Sequence, residues 1–155
     1  MADLNFAGSY DGLHLPYSPE AEQAVLGAII LESNTFDKVV DTLKSPDYFY
    51  VSLHKLIFAQ MQEMVGLGLN IDFVTLLERL KQNKAFDEST GKSYLFDLVD
   101  NCPSISNAEE YAKIIAEKYN VRRLITASRE IIDDATAGNE DPSVLIDSAE
   151  QKIFD

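Results

Sequence analysis

The chain has 155 residues, 46% of them hydrophobic and 25% charged, and a formal net charge of −13 from 26 carboxylates against 13 Lys and Arg. That is enough for one ordinary domain, or a small domain with an appendage, and too acidic for tight autonomous nucleic-acid binding, so weak or no direct DNA binding is expected. No apolar run approaches the ~20 residues of a membrane span, the start Met1-Ala2-Asp3-Leu4-Asn5 lacks a signal peptide's basic and apolar regions, and the one cysteine, Cys102, excludes an internal disulfide. No membrane partner is expected, and the location these features predict is cytoplasmic.

Residues 1–17 show no periodicity and hold Gly8, Gly12 and Pro16, the composition of a flexible arm. Ser18-Pro19 then opens a helix, serine as N-cap and proline at the first position, with Glu20 and Glu22 placed to favour the positive end of its dipole. Its face of Ala21, Ala24, Gly27, Ala28 and Leu31 is small, which lets another helix approach closely. Ser33-Asn34 separates it from a helix with Phe36, Val39, Val40 and Leu43 at i, i+3, i+4, i+7. After Ser45-Pro46-Asp47 comes an aromatic cluster, Tyr48-Phe49-Tyr50, read as a core plug. A third helix carries Leu53, Leu56, Ile57, Met61, Met64 and Val65 and ends among Gly66 and Gly68. A fourth, capped by Asp72, buries Phe73, Leu76, Leu77 and Leu80. Residues 81–92 read as a polar loop, and Ser93 as the start of a short fifth helix ending before Pro103-Ser104.

From Asn107 to Ala137 there is no Pro or Gly. Asn107 can N-cap, Glu110 can complete a capping box, and Gly138 stands where a C′ glycine belongs, so one long helix is predicted. At ~1.5 Å per residue it makes a rod of roughly 45 Å. Ile114, Lys118, Val121, Ile125, Ser128, Ile132 and Ala135 alternate steps of four and three, the seam of a helix lying along another helix. Tyr111, Ile115, Leu124 and Ile131 form a second apolar line. Asp141-Pro142 caps a final helix with Leu145, Ala149 and Ile153 facing inward. Being about half as long, it cannot cover the whole seam, so self-association is expected through Tyr111, Ile114, Ile115, Lys118, Val121, Ile125 and Ile132. No segment alternates like a half-buried strand. The fold class is all-α: a small helical bundle head, residues 18–103, followed by a long helical hairpin, residues 107–154.

Chemistry-bearing motifs are absent from the sequence. There is no glycine-rich phosphate loop, no Cys/His cluster, and Asp87-Glu88-Ser89-Thr90-Gly91 lacks the alternating carboxylates of a calcium loop. No catalytic, cofactor-binding or metal residue is assigned. The two histidines are isolated in sequence, His14 in the arm and His54 at a helix start, where a capping or core contact is the expected role.

Several stretches together resemble one family. Pro19-Glu20-Ala21-Glu22-Gln23-Ala24-Val25-Leu26-Gly27-Ala28 is similar to the opening motif of the amino-terminal domain of bacterial replicative DNA helicases of the DnaB family. His54-Lys55-Leu56-Ile57-Phe58, Ile71-Asp72-Phe73-Val74-Thr75-Leu76 and Gly91-Lys92-Ser93-Tyr94-Leu95 follow in the family's order. So do Pro103-Ser104, Asn107, Tyr111-Ala112-Lys113-Ile114-Ile115, Glu117-Lys118 and Arg122-Arg123-Leu124-Ile125. Thr90 departs, standing where the family often has a glycine. The resemblance implies an oligomerisation and primase-docking domain, non-catalytic by itself. ATP and magnesium would be bound by a RecA-like ATPase motor, which this chain does not include. It implies a homodimer and, in the full hexamer, a collar built as a trimer of dimers. Primase is the implied partner, docking on positions matching Glu20, Tyr94, Ile125 and Ile131, and a helicase loader is a further candidate. The alternative from another class is a stand-alone helical adaptor or loader-like protein. A metal enzyme is a third, disfavoured by the absence of a ligand cluster.

Overall fold

The structure, a computed structural model, describes residues 15–154. Of the expected arm 1–17, residues 1–14, with His14, lie outside the described residues, while Tyr17 is held against Tyr50 with ring centroids 4.5 Å apart. Among them there are seven α-helices and no strands: α1 Pro19–Leu31, α2 Thr35–Val39, α3 Ser52–Gly66, α4 Phe73–Lys81, α5 Glu88–Asp100, α6 Ala108–Ala137 and α7 Pro142–Phe154. Short 3-10 turns cover Pro46–Tyr48 and Ile105–Asn107. The all-α expectation holds.

Local cap chemistry sets the helix starts. Ser18 accepts from the Ala21 amide at 3.1 Å, Asp72 from the Thr75 amide at 2.8 Å, and Asp87 from the Ser89 amide at 3.0 Å. Each satisfies an amide that the first helical turn leaves orphaned. Gly138, just past α6, has φ 67°, the left-handed conformation that closes a helix end.

Two compact units emerge. One is Tyr17–Tyr119. Its centre is α1, where every residue from Ala21 to Ile30 except Gln23 is buried. A helix buried all round is the middle of a bundle rather than an amphipathic cover. Val25, Leu26, Ile29, Phe49, Ile57, Phe58, Met61, Leu76, Leu80 and Leu95 make the core around it; of the expected plug Tyr48-Phe49-Tyr50 only Phe49 is fully buried, Tyr48 being partly buried and Tyr50 38% exposed. Gly27 faces α5 so closely that a Cβ there would lie 2.2 Å from the Leu98 carbonyl oxygen. The small face of α1 thus serves the close approach expected of it. Ala108, Ala112 and Ile115 of α6 belong to the same core, so the head's packing continues past residue 103.

The other unit comprises residues 15–16 and 120–154. Here α7 folds back on α6, with Lys152 Nζ 3.2 Å from Asp134 Oδ2, a helical hairpin as expected. Arg122, only 7% exposed, donates to the Pro16 carbonyl at 2.8 Å.

Four expectations need correction. The stretch 81–92 is not a loop throughout, because α5 begins at Glu88. Gly91 sits inside that helix with its missing Cβ replaced by the Phe86 ring, whose nearest carbon would lie 2.3 Å from an added Cβ. Thr90 is therefore helical and no glycine turn is needed there. The helix over 36–43 shortens to Thr35–Val39, its tail passing into turn. Ile153 is 56% exposed rather than inward. Ile115, expected at a self-association interface, is 1% exposed within the head core, and a side chain covered by its own core has no surface left to offer a partner.

Candidate functional site

Inside the head, a polar chain runs from the core to the surface. Glu22 is 1% exposed on a helix otherwise apolar at its buried positions. Its carboxylate accepts from the Tyr50 amide at 2.9 Å and the Val51 amide at 3.3 Å. Val51 is the N-cap of α3 and has no side-chain cap of its own. Glu22 supplies that cap from another helix, with its negative charge at the positive end of α3. The third partner is His54, also 1% exposed, whose Nδ1 lies 2.8 Å from Glu22 Oε1.

His54 Nε2 in turn lies 2.6 Å from the Tyr94 hydroxyl, and the two rings stack with centroids 5.7 Å apart. The Gln23 amide nitrogen donates to the same hydroxyl at 3.1 Å. In the tautomer with the ring proton on Nδ1, His54 donates to the Glu22 carboxylate and its Nε2 accepts from the Tyr94 O–H. Burial, above all, holds the Tyr94 phenol above its ordinary value; the Glu22 and Asp97 charges add to this and the Gln23 hydrogen bond opposes it. Tyr94 is therefore a protonated donor across the neutral range.

The chain ends at a groove of about 440 Å³ between α1 and α5, lined by Glu20, Gln23, Ala24, Tyr94, Asp97, Leu98, Asn101 and Pro103. Its lining mixes apolar side chains, Ala24, Leu98 and Pro103, with the acids Glu20 and Asp97. Two residues singled out by resemblance, Glu20 and Tyr94, thus meet in one groove although 74 positions apart. Glu22 escaped the sequence reading, which gave it only a dipole role. Its signal was an acid within a run of apolar residues, which must be paired if that helix is central.

The remaining singled-out positions lie on α6. Ile114 is 38% exposed and Val121 47%, two apolar side chains uncovered in this chain. Tyr111, Lys118, Ile125, Ile131 and Ile132 are half-buried, Tyr111 against the head core. In the hairpin unit a separate cleft is lined by Asn120, Arg123, Leu124, Ala127, Lys152, Ile153 and Phe154. Among the described residues no group of His, Cys, Asp or Glu could hold a metal ion, and no helix is long and apolar enough to cross a membrane.

The fold defines a class, an all-α head continued by one long helix into a helical hairpin. Residues 14–117 match the DnaB-like helicase N terminal domain, and the chain belongs to that family. It is 36% identical over 145 residues to the replicative DNA helicase DnaB of Pasteurella multocida, an alignment spanning 92% of this chain and 31% of that one. It is 37% identical over 140 residues to DnaB of Geobacillus stearothermophilus, covering 90% and 31%. The chain thus spans about a third of the length of these curated relatives. The crystal structure of the N-terminal domain of DnaB helicase from Mycobacterium tuberculosis superposes with a TM-score of 0.81 at 30% identity, covering 91% of this chain and 99% of that one. A DnaB-like replicative helicase, described with its interactions with primase, shares the fold with a TM-score of 0.73 at 24% identity, covering 88% and 31%.

Proposed function

We propose that this chain is the oligomerisation and primase-docking domain of a replicative DNA helicase, with no catalytic role of its own. The observation that carries the docking half is the convergence of Glu20 and Tyr94 on one groove of the head, in a family where a related helicase is described with its interactions with primase. Ile125 and Ile131 of the hairpin are the second contact for primase. Two copies pair through α6 and the hairpin it forms with α7, three such pairs making the collar of a hexamer. ATP and magnesium belong to a motor domain outside residues 1–155, and a helicase loader is a further partner. With a net charge of −13, direct DNA contact by this chain is weak.

Self-association rests on Ile114 and Val121, two of the exposed apolar positions of α6, with half-buried Ile125 and Ile132 on the same seam. Lys118, within the same seam, lowers stability but fixes register. The test is Val121→Asp. The variant should remain helical by circular dichroism and become monomeric by light scattering, where the parent chain associates. A variant that associates as tightly as the parent would place the interface elsewhere. Docking is tested by calorimetric titration with purified primase, where Glu20→Ala and Tyr94→Ala should weaken binding; unchanged affinity in both would remove the groove from the docking surface.

A further inference from the structure

We propose that Glu22 and His54, buried and out of reach of any partner, are positioning residues for the docking surface: through a directed hydrogen-bond chain they hold Tyr94 in the one orientation that the α1–α5 groove presents. This rests on the reading of Tyr94 as a docking residue and deepens it.

Glu22 alone would suffice to cap α3, since the Tyr50 and Val51 amides are its backbone donors. A cap needs nothing further, yet the chain goes on. His54 takes the remaining donor role toward Glu22 at 2.8 Å and turns its other nitrogen outward to Tyr94 at 2.6 Å. An apolar side chain at position 54 would pack the core without the cost of burying an imidazole. What the imidazole adds is a link between an immobile carboxylate and a half-buried tyrosine. Gln23, next to Glu22 on α1, donates to the same hydroxyl at 3.1 Å. The Tyr94 oxygen is thereby held from two sides, once as donor and once as acceptor. The His54 and Tyr94 rings also lie near-parallel, their centroids 5.7 Å apart, which further restricts the tyrosine. A half-exposed tyrosine without these partners would sample several rotamers, and a partner would have to order it on binding. Fixing it beforehand removes that cost. Gln23 shows why the hydroxyl is not spare: it lines the groove, and its own side chain is oriented by the same oxygen.

The experiment uses the 155-residue chain and purified primase, with affinity read by calorimetric titration for His54→Leu, His54→Gln, Tyr94→Phe, Tyr94→Ala and the double variant His54→Leu/Tyr94→Phe. Losing the His54–Tyr94 hydrogen bond should weaken binding about 2- to 10-fold in His54→Leu, and Tyr94→Phe, which also loses the bond from Gln23, should be weakened at least as much. The double variant should lose less than the sum of the two single losses, because the His54–Tyr94 bond is removed by both. His54→Gln, whose amide carbonyl can accept from the Tyr94 hydroxyl, should recover part of the loss. Nitrogen-15 spectra of the histidine rings, of which there are two, should show a neutral His54 ring with its proton on Nδ1. Tyr94→Phe and the ring tautomer leave the core untouched and decide the matter if His54→Leu does not fold. Losses that simply add in the double variant, or a proton on Nε2, would overturn the proposal. If Tyr94→Ala weakens primase binding and His54→Leu does not, only the positioning role falls. If Tyr94→Ala itself has no effect, the docking reading falls and takes this one with it.

Discussion

Gly27→Ala tests how α1 and α5 are packed, and with it the groove they frame. A Cβ on Gly27 would lie 2.2 Å from the Leu98 carbonyl oxygen, 3.1 Å from its carbonyl carbon and 3.3 Å from Cys102 Cβ. Comfortable contacts between such atoms are ~3.5 Å, so the helices must part by about 1 Å. The blocking atom is backbone and cannot rotate away. Alanine gains up to ~1 kcal/mol of helix preference over glycine, while overpacking of a tight core costs ~1–3 kcal/mol, occasionally more. The clash is severe enough to put the cost at the upper end, leaving a net destabilisation of about 1–2 kcal/mol. For a chain of this size that corresponds to a fall in Tm of about 2–8 °C. Urea denaturation followed by circular dichroism measures it, with Gly66→Ala as control because a Cβ there meets nothing within 4 Å. If Gly27→Ala matches or exceeds the parent in stability, the close approach of the two helices is wrong.

Gly138→Ala should lower the stability of the hairpin by about 1 kcal/mol, since alanine must adopt the φ of 67° that glycine holds freely; thermal denaturation reads it, and no change would mean the turn relaxes. Burial pushes the Cys102 thiol above its ordinary value, against a smaller opposing hydrogen bond from Ser104. Alkylation of the folded chain should therefore lag that of the urea-unfolded chain until the pH exceeds the usual thiol range; equal rates at pH 8 would refute it. The same sign means that the folded state binds the thiol proton more tightly, a stabilisation present below the ordinary thiol value and lost as pH rises through the raised one.

What the sequence made legible follows the range of the interactions. Ser18, Asp72 and Gly138 act within a few residues, so their roles could be read from neighbours alone. The early start of α5 could not, because a glycine and two hydroxyls after Asp87 look like loop until the Phe86 ring is seen packed on Gly91. The partners of Glu22 were out of reach for the same reason, lying 28, 29 and 32 positions away. On α6 the periodicity announced two apolar lines without saying which faced the head. The core took Ala108, Ala112 and Ile115, one position off the line through Ile114, which stays exposed. Adjacent positions on a helix differ by about 100°, so a one-residue choice decides between core and surface.

That choice leaves Ile125 with two expected duties. As part of the seam through Ile114 and Val121 it would be buried between two copies; as the counterpart of Ile131 it would be buried against primase. Ile125 is half-buried already, and the area still open cannot be covered twice. Glu20 and Tyr94 carry no such conflict, because they lie on the head groove and on no expected pairing surface. The two sets of positions should therefore separate experimentally. Glu20→Ala and Tyr94→Ala should weaken primase binding and leave the association constant between copies unchanged. Ile125→Ala removes apolar burial from whichever interface uses it, less than the ~1.5–3 kcal/mol of a fully exposed side chain because Ile125 is half-buried already. If the duties are shared among different copies in a larger assembly, both primase affinity and self-association will fall. If only self-association falls, Ile125 belongs to the pairing seam and primase contacts the hairpin elsewhere; if only primase affinity falls, the seam closes without it. Light scattering and calorimetric titration on the one variant distinguish the three, and a variant that changes neither would strike Ile125 from both surfaces.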